Sequence, residues 1–173
     1  MTSWSLSIRT LHWLVLALVV LAWASVEAHE QFPRGSAWRG LWMQVHFHAG
    51  MAVLMLTGIR LFVRLAGRSP EPEDNLMARG ARIFQWLFYP LLVALPVAGF
   101  LTAQFDGKDI ALLDVLGVPA LFAPSEVRAD QLEDIHGDVL FALLTLLVVV
   151  HAGAALIHHF VLRDDTLRRM WRR

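Results

Sequence analysis

Eight histidines carry most of the chemistry on offer in this sequence: His12, His29, His46, His48, His136, His151, His158 and His159. Nearly all lie in or at the ends of strongly apolar runs, where an imidazole is costly to strip of water without a partner. His136 and His151 are 15 residues apart. On a regular α-helix that is about four turns plus 60°, and roughly 22 Å along the axis. One metal ion cannot bridge that length. Two stacked cofactors, one near each end of a membrane-crossing helix, can.

The other runs supply partners at matching depths. His12 enters the first apolar run at the end where the fourth run, travelling the opposite way, places His151. His46 enters the second run at the end where His136 begins the fourth. His12–His151 and His46–His136 therefore make two bis-histidine sites at two depths. Zinc and copper sites need ligands converging on one point. Haem instead takes two axial imidazoles from different helices and needs no cysteine, and the chain has none. Two haem b groups, held without covalent attachment, are the expected cofactors. With both axial positions filled, such a centre carries electrons and does not bind oxygen.

Neighbouring residues refine this picture. Gly50, one turn past His46, leaves room for a flat macrocycle or for close helix packing. His48 lies roughly 200° around the helix from His46, so it cannot share a ligand face and reads as an interfacial polar residue. His29 falls in the first loop and is expected to be solvated. His158 follows His151 on nearly the same face, nearer the chain's end, and is a candidate contact for a haem propionate or a quinone carbonyl. His159 has the simpler reading of a residue reaching for the interface. Arg60 is 14 residues past His46, about 40° off its face, and is a candidate partner for propionates. Arg64, one turn on, reads as an anchor at the membrane surface.

Four elements must position these groups. The chain is 57% hydrophobic with mean hydropathy +0.52, more apolar than the roughly 45–50% of ordinary soluble domains. Apolar runs at about 8–28, 41–63, 83–103 and 136–162 reach or approach the ~20 residues that cross a bilayer. Short polar connections separate them, without repeats or low-complexity tracts. The fold expected is an all-α membrane protein, a four-transmembrane-helix bundle forming one domain over residues 1–173. The first run has features of a secretion signal, but its removal would set the two arginine-rich segments on opposite faces, so it is read as a retained helix.

Formal net charge is zero, and that zero hides a polarity. Eleven of the fifteen basic residues fall on the side of the termini, and only Arg34, Arg39, Lys108 and Arg128 on the other. By the positive-inside rule both termini are cytoplasmic and residues 107–134 lie outside. The outer side holds ten of the fifteen carboxylates. Expected partners are membrane lipid and small redox molecules, with no nucleic acid.

Four stretches carry a resemblance: "LHWLVLALV" at 11–19, "HFHAGMAVLMLTGIRLFVRL" at 46–65, "LPVAGF" at 95–100 and "HAGAALIHHFVLRDDTLRRM" at 151–170. They resemble the bacterial cytochrome b561 family over nearly the whole chain, the weakest match lying at 107–130. The resemblance implies two haems stacked between helices, with His12, His46, His136 and His151 as axial ligands in the same two pairs. It implies an inner-membrane oxidoreductase that oxidises periplasmic superoxide to O2 and passes the electrons to ubiquinone. The alternative is an electron carrier linking a periplasmic redox protein or a dehydrogenase subunit to the quinone pool, its acidic outer loops matching a basic partner. Pro96 and Gly99 match the family's third-helix pattern, where the residues themselves suggest a kink and close packing.

Overall fold

A computed structural model describes residues 6–66, 76–111, 115 and 119–171. Helix α1 spans Leu6–Glu30, α2 Ala37–Ala66 and α3 Leu76–Phe105. Helix α4, Glu126–Asp134, runs through a π-helical turn at Ile135–Leu140 into α5, Phe141–Phe160, and a last turn, α6, covers Arg168–Trp171. Among the described residues, four helical stretches are long and apolar enough to cross a membrane, the last being the continuous Glu126–Phe160. The protein is an all-helical, multi-pass bundle.

The third and fourth spans begin well before the apolar windows at 83 and 136. Hydropathy marks only the bilayer-crossing part of a helix. The polar stretches "ARGAR" and "EVRADQLED" contain few helix breakers, so the backbone ladder continues through them into the interface. The fourth span ends at Phe160, two residues short of the expected 162. There the chain reverses through Arg163, whose φ of 54° is left-handed. Arg68, Arg172 and Arg173 of the charge count lie outside the described residues.

All four spans meet in one core. Val15 of α1, Val53 of α2, Leu91 and Leu92 of α3, and Leu144 of α5 are buried together. Large apolar side chains such as Met55, Phe62, Leu146 and Val149 stay exposed on the outside, as a lipid-facing surface requires. Two buried hydroxyls bond back to their own helices: Ser25 Oγ donates to the Ala22 carbonyl at 2.7 Å and Thr102 Oγ1 to that of Ala98 at 3.0 Å.

The start of α1 and the last turn, α6, meet at one end of the bundle, here the terminal end, where Trp13 Nε1 donates to the Met170 carbonyl at 3.1 Å. The α1–α2 and α3–α4 connections gather at the other, the loop end. There Arg39 donates to the carbonyls of His29 and Phe32 at 3.3 and 2.9 Å and to Glu30 at 2.9 Å. His29 itself is not solvated. It lies in the last turn of α1, its side chain 13% exposed, and its Nδ1–H donates to the Arg39 carbonyl at 2.8 Å. The imidazole ties the end of α1 to the start of α2, a tertiary contact that local sequence does not reveal. Gln44 brackets the next connection, donating to the Asp109 carbonyl at 2.8 Å and accepting from the Ala111 N–H at 3.0 Å. Ile110 is thereby set down among Phe47, Met51, Phe100 and Ala103, closing the loop end over the core.

Candidate functional site

The bundle brings the four sequence-selected histidines together as two pairs. At the loop end the rings of His46 and His136 have centroids 5.9 Å apart, with planes at 86°. At the terminal end those of His12 and His151 are 6.3 Å apart, with planes at 65°. Two imidazoles bound on opposite sides of one metal, with metal–nitrogen bonds of roughly 2.0–2.1 Å, place their centroids about 6–6.5 Å apart. Each pair can therefore take one metal between its rings. No cluster of three or more potential metal ligands exists among the described residues, so a zinc-type closed site has no candidate there.

Backbone carbonyls fix the rings at the loop end. His46 Nδ1 lies 2.9 Å from the Ala22 carbonyl oxygen and His136 Nδ1 2.8 Å from that of Leu95. A carbonyl only accepts, so Nδ1 carries the proton in both rings and Nε2 is left free as a ligand atom. Around this pair lies a cavity of about 330 Å³, walled by Gly50, Val53, Leu92, Pro96 and Leu144 among others, within the size range of small-molecule and cofactor sites. Glu27, Lys108 and Glu133 are the charged residues of its lining. Of the four basic residues on this side only Lys108 reaches the cavity, and it is paired with Asp106 at 2.6 Å. Arg39 is committed to the α1–α2 turn, and Arg128 lies over the Phe105 ring at 5.3 Å.

The π-helical turn alters the geometry inferred for the fourth span. The Phe141 N–H bonds to the His136 carbonyl, five residues back. One such turn absorbs about one extra residue, or ~100° of rotation. The offset between His136 and His151 thus falls near −40° in place of +60°. Both rings share the seam that contains Leu140, Leu144 and Leu147, which pack on the core.

Rings and cations surround the terminal-end pair. Trp13 lies edge-on to His12 at 5.2 Å, and Phe84 and Phe88 lie against His151 at 6.4 and 5.4 Å. Arg60 is close enough to His12 and His151 to act electrostatically on both. It sits 5.9 Å from the Tyr89 ring, and Arg64 lies 4.7 Å from Trp86. Among the described residues, Arg60 Nε, Tyr89 Oη, and Nε and Nη1 of Arg9 are buried without a hydrogen-bond partner. Arg9 is only 8% exposed. Buried guanidinium groups without acceptors are expensive. The carboxylates of a haem, which guanidinium binds in bidentate fashion, fit that demand. Arg9 and Tyr89 escape a sequence reading, because Arg9 looks like one more positive-inside anchor.

The remaining candidates separate. His48 sits on the other side of α2, where its Nδ1–H donates to the Gln44 carbonyl and its ring lines a groove with Leu18, Leu21 and Leu41. His158 bonds through Nδ1 to Asp164 in the reversing chain, and the Thr166 N–H donates to the same carboxylate at 2.8 Å. These contacts, that with His158 first, hold the Asp164 carboxyl down to about 2. His159 packs on Phe160 at 4.7 Å.

Comparison with known proteins gives the family. The family described as prokaryotic cytochrome b561 matches residues 3–173. A probable superoxide oxidase of Yersinia pestis, CybB, is 36% identical over 165 residues, 92% of this chain and 90% of that protein. Cytochrome b561 homolog 1 of Escherichia coli K12 is 31% identical over 163 residues, 92% of each chain. Cytochrome b562 of Cereibacter sphaeroides is 29% identical over 167 residues, 94% of this chain and 91% of that one. Four apolar spans and a match over almost the entire length place the chain among membrane electron carriers that use haem b: it belongs to the prokaryotic cytochrome b561 family.

Proposed function

We propose that this protein is a diheme superoxide:ubiquinone oxidoreductase of the bacterial inner membrane, acting as one membrane domain over residues 1–173. His46 and His136 would hold the periplasmic haem, His12 and His151 the cytoplasmic one, and both termini are cytoplasmic. The observation that carries the reading is the pairing of four intramembrane histidines at two depths, each pair about one metal's width apart. The eleven-to-four distribution of basic residues supports the orientation. The similarity to a probable superoxide oxidase over most of the chain supports the substrate.

Two superoxide ions give up one electron each and leave as O2; ubiquinone takes the two electrons with two protons and leaves as ubiquinol. Haem b, when bound, would supply reversible one-electron chemistry. The protein's own groups do the rest. Ala22 and Leu95 hold His46 and His136 in the tautomer that presents Nε2. Lys108 offers the positive charge nearest that cavity to an arriving anion, against Glu27 and Glu133. Arg60, with Arg9 and Tyr89, whose buried polar atoms also lack a partner, would donate hydrogen bonds to the propionates at the cytoplasmic end. Ubiquinone is placed at that end as well, with His158 or Arg60 contacting its carbonyl.

A second reading has its own support. Glu126, Asp130, Asp134 and Asp138 are all exposed at four-residue spacing along the loop end of the fourth span. Such a face suits a basic periplasmic redox protein as electron donor. Rapid mixing of the oxidised protein with superoxide, with and without ubiquinone, decides between them. Fast haem reduction followed by quinone-dependent reoxidation supports the oxidase. Reduction no faster than with mild nonspecific reductants leaves the carrier.

A further inference from the structure

Helix α3 has no histidine, yet one turn of it is shaped around the His136 ring. A Cβ placed on Gly99 would lie 2.7 Å from Cε1, 3.0 Å from Nδ1 and 3.2 Å from Nε2 of that imidazole. Carbon atoms in contact prefer about 3.5–4.0 Å, so no residue larger than glycine fits while the ring stays where it is. The same turn supplies the acceptor for the ring, since the Leu95 carbonyl takes the Nδ1 proton at 2.8 Å. Pro96, between them, has no N–H to give the preceding turn, which loosens the helix at this level. Gly40, Gly50, Gly58, Gly80, Gly137 and Gly153 would meet nothing within 4 Å. Glycine in the middle of a helix is disfavoured against alanine, and among the described helical glycines only Gly99 is demanded by the space.

We infer that the Leu95–Gly99 turn of α3 is a seat for His136. The carbonyl of Leu95 sets the ring's tautomer and tilt, and the bare Cα of Gly99 sets how far the ring stands from α3. Gly99 is thus a positioning residue for the loop-end centre, acting through His136. The inference rests on His136 being an axial ligand. A Cβ at Gly99 pushes the ring off its hydrogen bond and turns Nε2 away from the metal it serves. The terminal-end pair, about 22 Å away along the helix by the rise per residue, is not touched.

The test uses purified full-length protein with its haem. Gly99→Ala is compared with Gly58→Ala by haem content, electron paramagnetic resonance and redox titration of each centre. The expected result is a loss of the loop-end low-spin signal, or a displaced potential at that centre alone, with Gly58→Ala unchanged. The decisive arm repeats Gly99→Ala in a His136→Ala background, where the seat is empty. There the extra methyl should leave the melting temperature and the terminal-end centre as they are in His136→Ala. An unaltered loop-end centre in Gly99→Ala overturns the seat. So does an equal loss of melting temperature in both backgrounds, which would mark plain helix packing. If Gly99→Ala fails to accumulate, accumulation of Gly99→Ala/His136→Ala supports the seat and its failure overturns it. Two haems persisting in His136→Ala would instead sink the ligand assignment, and failure to react with superoxide leaves this inference standing.

Discussion

The two histidine pairs are built by different means. At the loop end, two backbone carbonyls hold the Nδ1 protons of His46 and His136, beside a cavity of about 330 Å³. At the terminal end, aromatic rings wall His12 and His151, and the guanidinium of Arg60, its buried Nε without a partner, stands nearby. Hydrogen bonds fix a ring's rotation and its tautomer together. Packing against Trp13, Phe84 and Phe88 fixes position, while a nearby positive charge is left to be answered by an anion. One centre is therefore defined by what its ligands touch, the other by the charge its ligands stand beside.

The largest effect separates the two centres outright. His46→Ala or His136→Ala should bring the haem content of purified protein from two per chain to one, sparing the terminal-end spectrum; His12→Ala or His151→Ala should do the converse. Loss of both haems from any one of these variants would erase the distinction. Next in size is Arg60. Arg60→Gln should speed haem transfer from the terminal-end site to excess apomyoglobin by roughly 10–100-fold, as losing a supporting partner commonly costs a metal centre. The loop-end site should not respond, and Arg60→Lys should recover part of the loss. Equal acceleration at both sites would show that the cations serve the whole bundle.

Smaller still, His48→Ala should leave both haems and both spectra in place, since its ring lies on the far side of α2. A missing loop-end haem in that variant would demand another ligand set. The least effect lies at the reversing chain. The Asp164 carboxyl falls from its ordinary 3.8 to about 2 in the folded protein. Its contribution is thus complete above about pH 4 and lost as pH falls from there toward 2. The protection factor of the Thr166 amide, its exchange rate set against the intrinsic rate at each pH, should be high and level above pH 4 and fall below it. Asp164→Asn should abolish that step, and a step centred near pH 6 would assign it to another group.

The spans and the pairs were legible because imidazole in an apolar run is conspicuous, and because antiparallel helices bring matching depths together. Other features left no trace. Ala22 and Leu95 act through main-chain oxygens, which every residue possesses. The π-helical turn at Ile135–Leu140 changes the rotation of the fourth span by about one residue, and a regular 3.6-residue count across it misplaces His136. His29 was read as solvated because its partner, the Arg39 carbonyl, is ten residues away across a turn. Arg9 is one of the eleven basic residues of the charge count, and its burial depends on how α1 meets the rest of the bundle. The helix ends were underestimated wherever polar but helix-competent residues followed the apolar window.

The central claim is that electrons enter at the His46–His136 centre and leave from the His12–His151 side. Rapid mixing of His46→Ala with superoxide tests it most directly, watching the one haem that this variant keeps. The account predicts that this haem is still reduced by dithionite, while its reduction by superoxide falls to the background rate. Reduction by superoxide as fast as in the unaltered protein would contradict it, because the electron would then have entered without the loop-end pair.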